Sequence, residues 1–216
     1  IHHGLCEYSE RYKKFAEYLS HEGFIVVVSD FPGHGTSLYK FEQGYFGKGN
    51  ALDTLVEDIQ RLRHIITKRY EDLPYFMLGV DLGSLVLLKY AGVYGDYING
   101  MILLGKWKKN SFYYRMKMIV DFNILLHGQM NHSRVIKKAI DLFLQRNVNG
   151  NYKMTNTKEV NLYMEDPLTD FVYTNQAYRD ILDYIKYTSD EEHLKQIPQY
   201  LPVYLLSGGF DNLTRN

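Results

Sequence analysis

A single cysteine, Cys6, stands among 216 residues, so no disulfide can form within the chain. That scarcity fits a reducing compartment, and a cytoplasmic location is expected. Net charge is also missing. Twenty-five Lys and Arg balance 25 Asp and Glu to give +0, leaving no cationic surplus to displace counterions from a nucleic acid. No apolar run approaches the ~18 residues of a membrane span, and no signal peptide is legible. His2, His3, His21, His64, His127, His132 and His193 lack metal spacings such as HExxH, so neither a metal nor a cofactor is expected. Repeats and low-complexity segments are absent too. What the chain does have is 45% hydrophobic residues, with 20 Tyr and 11 Phe. That is enough for one sizeable α/β core with an inserted subdomain.

The most informative stretch is Tyr75-Phe76-Met77-Leu78-Gly79-Val80-Asp81-Leu82-Gly83-Ser84. It reads as a short apolar strand, a tight turn and the start of an apolar helix. The spacing Gly-x-Asp-x-Gly is the frame of a nucleophile elbow, a strained strand-to-helix turn that lifts its central side chain. The flanking glycines, Gly79 and Gly83, allow the helix to pack closely on the strand. The usual occupant of the centre is serine; here it is Asp81.

The remaining pattern alternates. Ile1 reads as the tail of a strand. Ser9 is the expected N-cap of a helix with Tyr12, Phe15, Ala16 and Leu19 on one face. Phe24 to Ser29 is a β-branched run expected to be a strand buried on both faces, and Asp30 to Ser37 follows as a loop. Asn50 is expected to cap a helix whose buried face carries Leu52, Leu55, Val56, Ile59, Leu62, Ile65 and Ile66. Met101 to Leu104 and Pro202 to Leu206 read as strands, and Gln176 to Tyr187 as a helix with Ala177, Ile181, Tyr184 and Ile185 inward. Strands alternating with helices predict a mostly parallel, doubly wound sheet. Ligands then sit at the strand carboxyl ends, where Asp30, Asp81 and Gly105 fall. From Lys106 to about Phe171 the alternation stops, which predicts a helical cap. The expected division is residues 1–105 and 172–216 for the core and 106–171 for the cap.

Several motifs agree in order and spacing with one family. His3-Gly4-Leu5-Cys6-Glu7-Tyr8-Ser9-Glu10-Arg11-Tyr12 resembles the HGxxEHSxRY segment of the serine aminopeptidase S33-type α/β-hydrolases, the group of monoacylglycerol lipases and bacterial lysophospholipases. Asp30-Phe31-Pro32-Gly33-His34-Gly35-Thr36-Ser37 is similar to its DxRGHGxS loop, and the elbow falls where its GHSMGS falls. Glu165-Asp166-Pro167-Leu168, and Leu205-Leu206-Ser207-Gly208 with Asp211, resemble its late EDPL and LLSGxxD segments. The resemblance implies an α/β-hydrolase fold and carboxylic ester hydrolysis of a lipid or other small ester. It implies an oxyanion hole from the Leu5 and Leu82 amides. It puts Asp81 at the nucleophile position and Asp211 at the triad-acid position, with His3, Gly4, Gly33, His34 and Gly35 as structural motif residues. The triad histidine would follow Asp211, and the first strands would precede Ile1, so the chain is expected to be truncated at both ends.

Three accounts of Asp81 stand open. It is a true nucleophile, as in epoxide hydrolases and haloalkane dehalogenases; or catalysis is lost and the fold kept for binding acyl chains; or a serine has been replaced. Lacking the hydroxyl and the base, the chain as written is expected to show negligible esterase activity. Ser84 is expected to pack against the sheet rather than to act as a substitute nucleophile, and His34 to be a satisfied loop histidine. Lys106, Trp107, Lys108, Lys109, Arg115 and Lys117 interleave with aromatics at the cap start, a composition that suits peripheral contact with an anionic membrane.

Overall fold

The computed structural model of the protein describes residues 1–39, 42–105, 107, 109–143 and 156–208. Asp211, Lys106 and Lys108 lie outside them. Three parallel strands, β1 (Phe76–Val80), β2 (Gly100–Leu104) and β3 (Val203–Leu206), form a sheet in the order β1-β2-β3. Leu78, Ile102 and Tyr204 stand in register across it. On the far side of β1 the chain start runs parallel: His2 bridges both Gly79 and Ser29, with His2 N–H donating to the Leu78 carbonyl at 2.8 Å.

The centre of the molecule is α3 (Leu82–Tyr94), which lies on β1 and β2. It is apolar on every side, and Leu82 through Ala91 are all buried, as a helix without a polar face must be. Around it pack α2 (Ala51–Arg69), α7 (Asn175–Thr188) and the short α8 (Glu191–Leu194). All three begin at side-chain caps, α8 at Asp190, whose carboxylate accepts from Glu192 N–H at 3.0 Å. The Asn50 side chain accepts from Leu52 N–H at 3.0 Å, and Thr174 Oγ1 accepts from Ala177 N–H at 3.1 Å. Between β2 and β3 the chain makes α4 (Ser111–His127), α5 (Arg134–Phe143) and α6 (Thr157–Glu165) before entering α7. The described residues of the segment that alternation fails to organise are therefore largely helical, and α4 packs against α5 and α7.

Local readings depart from this structure in four places. Ser9 caps nothing; it opens a 3₁₀ turn, Ser9–Tyr12, ahead of α1 (Lys13–His21), and its amide donates to Asp30 at 2.7 Å. The carboxylate of Asp30 outcompetes the serine hydroxyl for the role of local acceptor. No residue of α1 is buried, and Phe15 is exposed. The run Phe24 to Ser29 makes only the single bridge at Ser29, and Phe24 and Ile25 are exposed. The Val27 carbonyl also accepts from the Ile1 amine at 2.7 Å, so the run lies beside the chain start. Finally, α2 buries Leu55, Val56 and Ile59 and then leaves the core, so Ile65 is exposed.

Candidate functional site

The turn at the end of β1 is the strained element of the fold. Asp81 has φ 52° and ψ −106°, a conformation that costs a non-glycine residue roughly 1–3 kcal/mol and is kept only where its surroundings enforce it. They do so here through hydrogen bonds on both sides of the turn. Asp81 N–H donates to the Leu104 carbonyl at 2.7 Å, and the Asp81 carbonyl accepts from Ser84 N–H at 3.1 Å. The glycines explain the close approach. A Cβ on Gly79 would stand 2.7 Å from the Gly83 carbonyl carbon, and one on Gly83 would overlap the His2 carbonyl oxygen.

The turn lifts the Asp81 carboxylate towards two donors from elsewhere. Leu5 N–H donates to Oδ2 at 3.3 Å, and the Trp107 indole N–H donates to Oδ1. The Leu82 amide opens α3 beside it, where the first N–H groups have no acceptor within the helix. The Leu5 amide and the elbow residue thus meet at the carboxyl end of β1, with Leu82 following Asp81 in the chain.

The loop bearing Leu5 is held from three sides. His3 is fully buried; its Nε2 accepts from Phe31 N–H at 3.0 Å, which leaves Nδ1–H to donate to the Gly4 carbonyl at 2.8 Å. Gly4 N–H donates to Glu7 at 2.7 Å. Cys6, itself at φ 52°, is gripped by residues from much later in the chain: its N–H donates to Tyr173 Oη at 2.9 Å, and its carbonyl accepts from the Tyr163 hydroxyl at 2.9 Å and from Asp170 N–H at 3.3 Å. Tyr173 in turn contacts His34. His34 Nδ1 lies 3.0 Å from the Pro32 carbonyl and must donate to it, so Nε2 accepts from the Tyr173 hydroxyl at 2.7 Å. An imidazole with both nitrogens engaged in the loop framework is a structural group. Gly33 and Gly35 flank it at positive φ. Asp30 closes the loop by accepting from Ser9 and Thr36; burial pushes its carboxyl up, but these bonds outweigh it and hold it below its usual value.

Ser84 is fully buried, and its hydroxyl faces the Gly79 and Leu104 carbonyls at 2.8 and 2.9 Å. It ties α3 to β1 and β2, as its place in the elbow helix predicts. Trp107 departs from expectation. Instead of facing a membrane it is 6% exposed and bonded to Asp81. Phe112, Tyr113 and Met116 of the same stretch are buried as well. Sequence reading misses this role because composition does not say which way a ring turns; the available signal was position, directly after the strand beside the elbow. Tyr163, Asp170 and Tyr173 carry no local signal, since they reach Cys6 from more than 150 positions away in sequence.

Beyond Leu5 and Trp107 lies a narrow cavity of about 60 Å³. Its apolar lining includes Phe112, Met116 and Val120 of α4 with Ile181, Leu182 and Ile185 of α7. Cys6, Tyr163, Tyr173 and the trio Lys137, Asp141 and Asp170 also line it. An apolar slot with a few convergent polar groups is the usual form of a small-ligand site.

A parallel sheet, a helix springing from a strained turn after β1, and helices inserted before the last strand define an α/β-hydrolase. The chain belongs to the serine aminopeptidase, S33 family, whose model matches residues 1–216. It is 35% identical over 91 residues to phospholipase YtpA of Bacillus subtilis, covering 42% of this chain and 32% of that protein. It is 24% identical over 170 residues to human monoglyceride lipase, covering 78% of this chain and 50% of that protein. Among solved structures, a thermostable carboxyl esterase from Bacillus coagulans in complex with glycerol superposes with a TM-score of 0.77 at 23% identity, covering 94% of this chain and 67% of that one. The aligned stretch spans half or less of the length of these curated relatives.

Proposed function

We infer that this protein is a monoacylglycerol-lipase-like hydrolase homologue that holds a single-chain lipid or ester and does not hydrolyse it through residue 81. The observation that carries the reading is the Leu5 N–H bond to Asp81 Oδ2. That amide is the donor that a substrate carbonyl would need as its oxygen gains charge. An aspartate carboxylate already bonded there competes with it and repels the developing oxyanion. Attack by Asp81 on an ester would give an anhydride, an unfavourable intermediate. Both its oxygens also accept hydrogen bonds, which lowers their nucleophilicity. The apolar side chains of α4 and α7 that line the cavity beyond suit contact with part of an acyl chain.

Peripheral contact with a membrane surface belongs to the same reading, with a different set of residues from the one the composition suggests. Among the described residues no helix is long and apolar enough to cross a membrane. The outer face of α4 instead exposes Tyr114, Met118, Phe122 and Leu125 in one stripe, beside Arg115 and the Lys117–Asp121 pair. Such a stripe suits insertion at a headgroup boundary.

Two assays on the same sample test the reading. A long-chain p-nitrophenyl ester should show no turnover above a heat-killed control, while a monoacylglycerol should quench or shift Trp107 emission saturably. Clear turnover would overturn the loss of catalysis. Absence of any saturable response would overturn lipid binding.

A further inference from the structure

Tyr173 lines the cavity, and its hydroxyl joins two loops of the site. Its Oη accepts from Cys6 N–H at 2.9 Å and donates to His34 Nε2 at 2.7 Å, while His34 Nδ1 donates to the Pro32 carbonyl at 3.0 Å. Only 2% of Tyr173 is exposed and none of His34, so neither can exchange its partner for water without opening the core. The rings of Phe171 and Tyr178 pack edge to face on Tyr173, with centroids 5.1 and 5.6 Å away, and fix where the hydroxyl stands. Burial pushes that hydroxyl well above its usual value of 10, so it keeps the proton it gives to His34.

Cys6 requires such a partner. Its φ of 52° lies in the left-handed region, which a non-glycine residue keeps only where its surroundings enforce it. Tyr173 holds the N–H of residue 6, and the Tyr163 hydroxyl and Asp170 N–H hold its carbonyl. The consequence reaches Leu5, because Cys6 N–H lies in the rigid peptide plane that follows Leu5. Leu5 N–H lies in the plane before it, together with the Gly4 carbonyl that accepts from His3 Nδ1 at 2.8 Å. Only the φ and ψ of Leu5 separate the two planes. With His3 on the earlier plane and Tyr173 on the later, both dihedrals are set, and Leu5 N–H points at Asp81 Oδ2.

We propose that Tyr173 is a positioning residue for the Leu5 amide, acting through Cys6 to hold that donor in the direction in which it meets residue 81. The role concerns the donor alone and stands whether or not a lipid occupies the cavity. Gly4-Leu5 is the only Gly-Leu step in the sequence. Labelling glycine at its carbonyl carbon and leucine at its nitrogen therefore yields one correlated amide signal in nuclear magnetic resonance, that of Leu5. Tyr173→Phe keeps the ring and removes the oxygen. The Leu5 proton should move upfield and its hydrogen exchange should quicken at least about tenfold, the weakening of one charge-assisted hydrogen bond. Asp81→Ala should move the same signal, and adding Tyr173→Phe to it should move it little further. Tyr184→Phe is the control for a purely structural loss: its hydroxyl reaches the Ala51 and Leu52 carbonyls at 3.1 and 3.0 Å, neither in the Cys6 loop, and its removal should leave the Leu5 signal in place. Where Tyr173→Phe does not fold, Tyr163→Phe releases the carbonyl side of Cys6 and should give the same upfield movement. An unmoved Leu5 signal in the folded variant, an equal movement in Tyr184→Phe, or a full further movement in the double variant overturns the proposal.

Discussion

The indole N–H of Trp107 donates to Oδ1 of Asp81, so the segment leaving β2 is fastened to the turn leaving β1. With Leu5 N–H on the other oxygen, one carboxylate bridges the elbow, the loop after the chain start and the first residues towards the cap. A serine at position 81 would have one oxygen and could not span both donors. The aspartate thus acts as a structural cross-tie at the place where a hydrolase of this fold carries its nucleophile.

Removing that cross-tie should free its donors for a ligand. In Asp81→Ala the Leu5 amide loses an anionic acceptor, and a fatty-acid carboxylate no longer faces the charge of Asp81. Dodecanoate affinity is expected to rise by about tenfold, the magnitude of one charge-assisted hydrogen bond. Fluorescence titration through Trp107 measures it. Unchanged affinity would mean that the carboxylate does not compete for the ligand's place.

Ser84 tests the opposite kind of role. Its hydroxyl serves two main-chain carbonyls in the buried joint between α3, β1 and β2. Ser84→Ala should cost about 1–2 kcal/mol in chemical denaturation and leave the ligand affinities intact. A variant of wild-type stability with altered binding would reverse that assignment.

The contact between Gly83 and the chain start gives a larger effect. A methyl group there would overlap the carbonyl of His2, main-chain oxygen that already accepts from Val80 N–H at 3.0 Å and cannot swing away. Gly83→Ala should destabilise by about 3 kcal/mol, the upper range for overpacking. Gly23→Ala is the contrast, since a Cβ there meets nothing within 4 Å and only the positive φ of 92° opposes it. Thermal melts of the two should separate clearly.

This elbow was legible in the sequence because its causes are local. The glycine spacing, the apolar strand before it and the apolar helix after it all lie within about fifteen residues, and the structure places them as that pattern requires. The caps at Asn50 and Thr174 are local in the same sense, although only Asn50 was read. What could not be read is everything decided by distant partners. Trp107 turned inward because Asp81 offered an acceptor across the sheet, Tyr173 tied Cys6 to His34, and Ser9 yielded its capping role to Asp30. Phe24 to Ser29 has strand composition, yet it meets the chain start only through the bridge at Ser29 and the Val27 carbonyl, which accepts from the Ile1 amine.

Asp180 makes stability depend on pH. It lies buried on α7, with Oδ1 accepting from Gln176 at 2.8 Å and Oδ2 without a hydrogen-bond partner. Burial raises its pKa from 3.8 to about 6. The folded protein therefore holds this proton more tightly than the unfolded chain. The group costs nothing below pH 3.8, its cost grows as pH rises from 3.8 towards 6, and above that it reaches about 3 kcal/mol. Asp180→Asn keeps the acceptor for Gln176 and removes the charge. It should stabilise the protein by about 2–3 kcal/mol at pH 8 and by little at pH 4. Denaturation at the two pH values measures the difference, and an equal gain at both would show that the ionised carboxylate is not the cause.

The outer face of α4 separates membrane contact from mere solvation. Leu125 is 80% exposed and Met118 73%, an unusual exposure for such side chains on a helix whose other face buries Phe112, Met116 and Val120. If that face enters the headgroup boundary, Leu125→Glu withdraws apolar contact and adds repulsion from anionic lipid. Binding to vesicles containing phosphatidylserine should then fall by at least about tenfold, the transfer value of one leucine side chain. Replacing Arg115 and Lys117 by Gln should weaken binding less, and its salt dependence more, because their part is electrostatic. The interior of the cavity is untouched by either change, so Trp107 titration with a soluble ligand should remain as in the parent. Co-sedimentation unaltered by both sets of substitutions would remove the membrane from the account and leave α4 as a solvent-facing wall of the pocket.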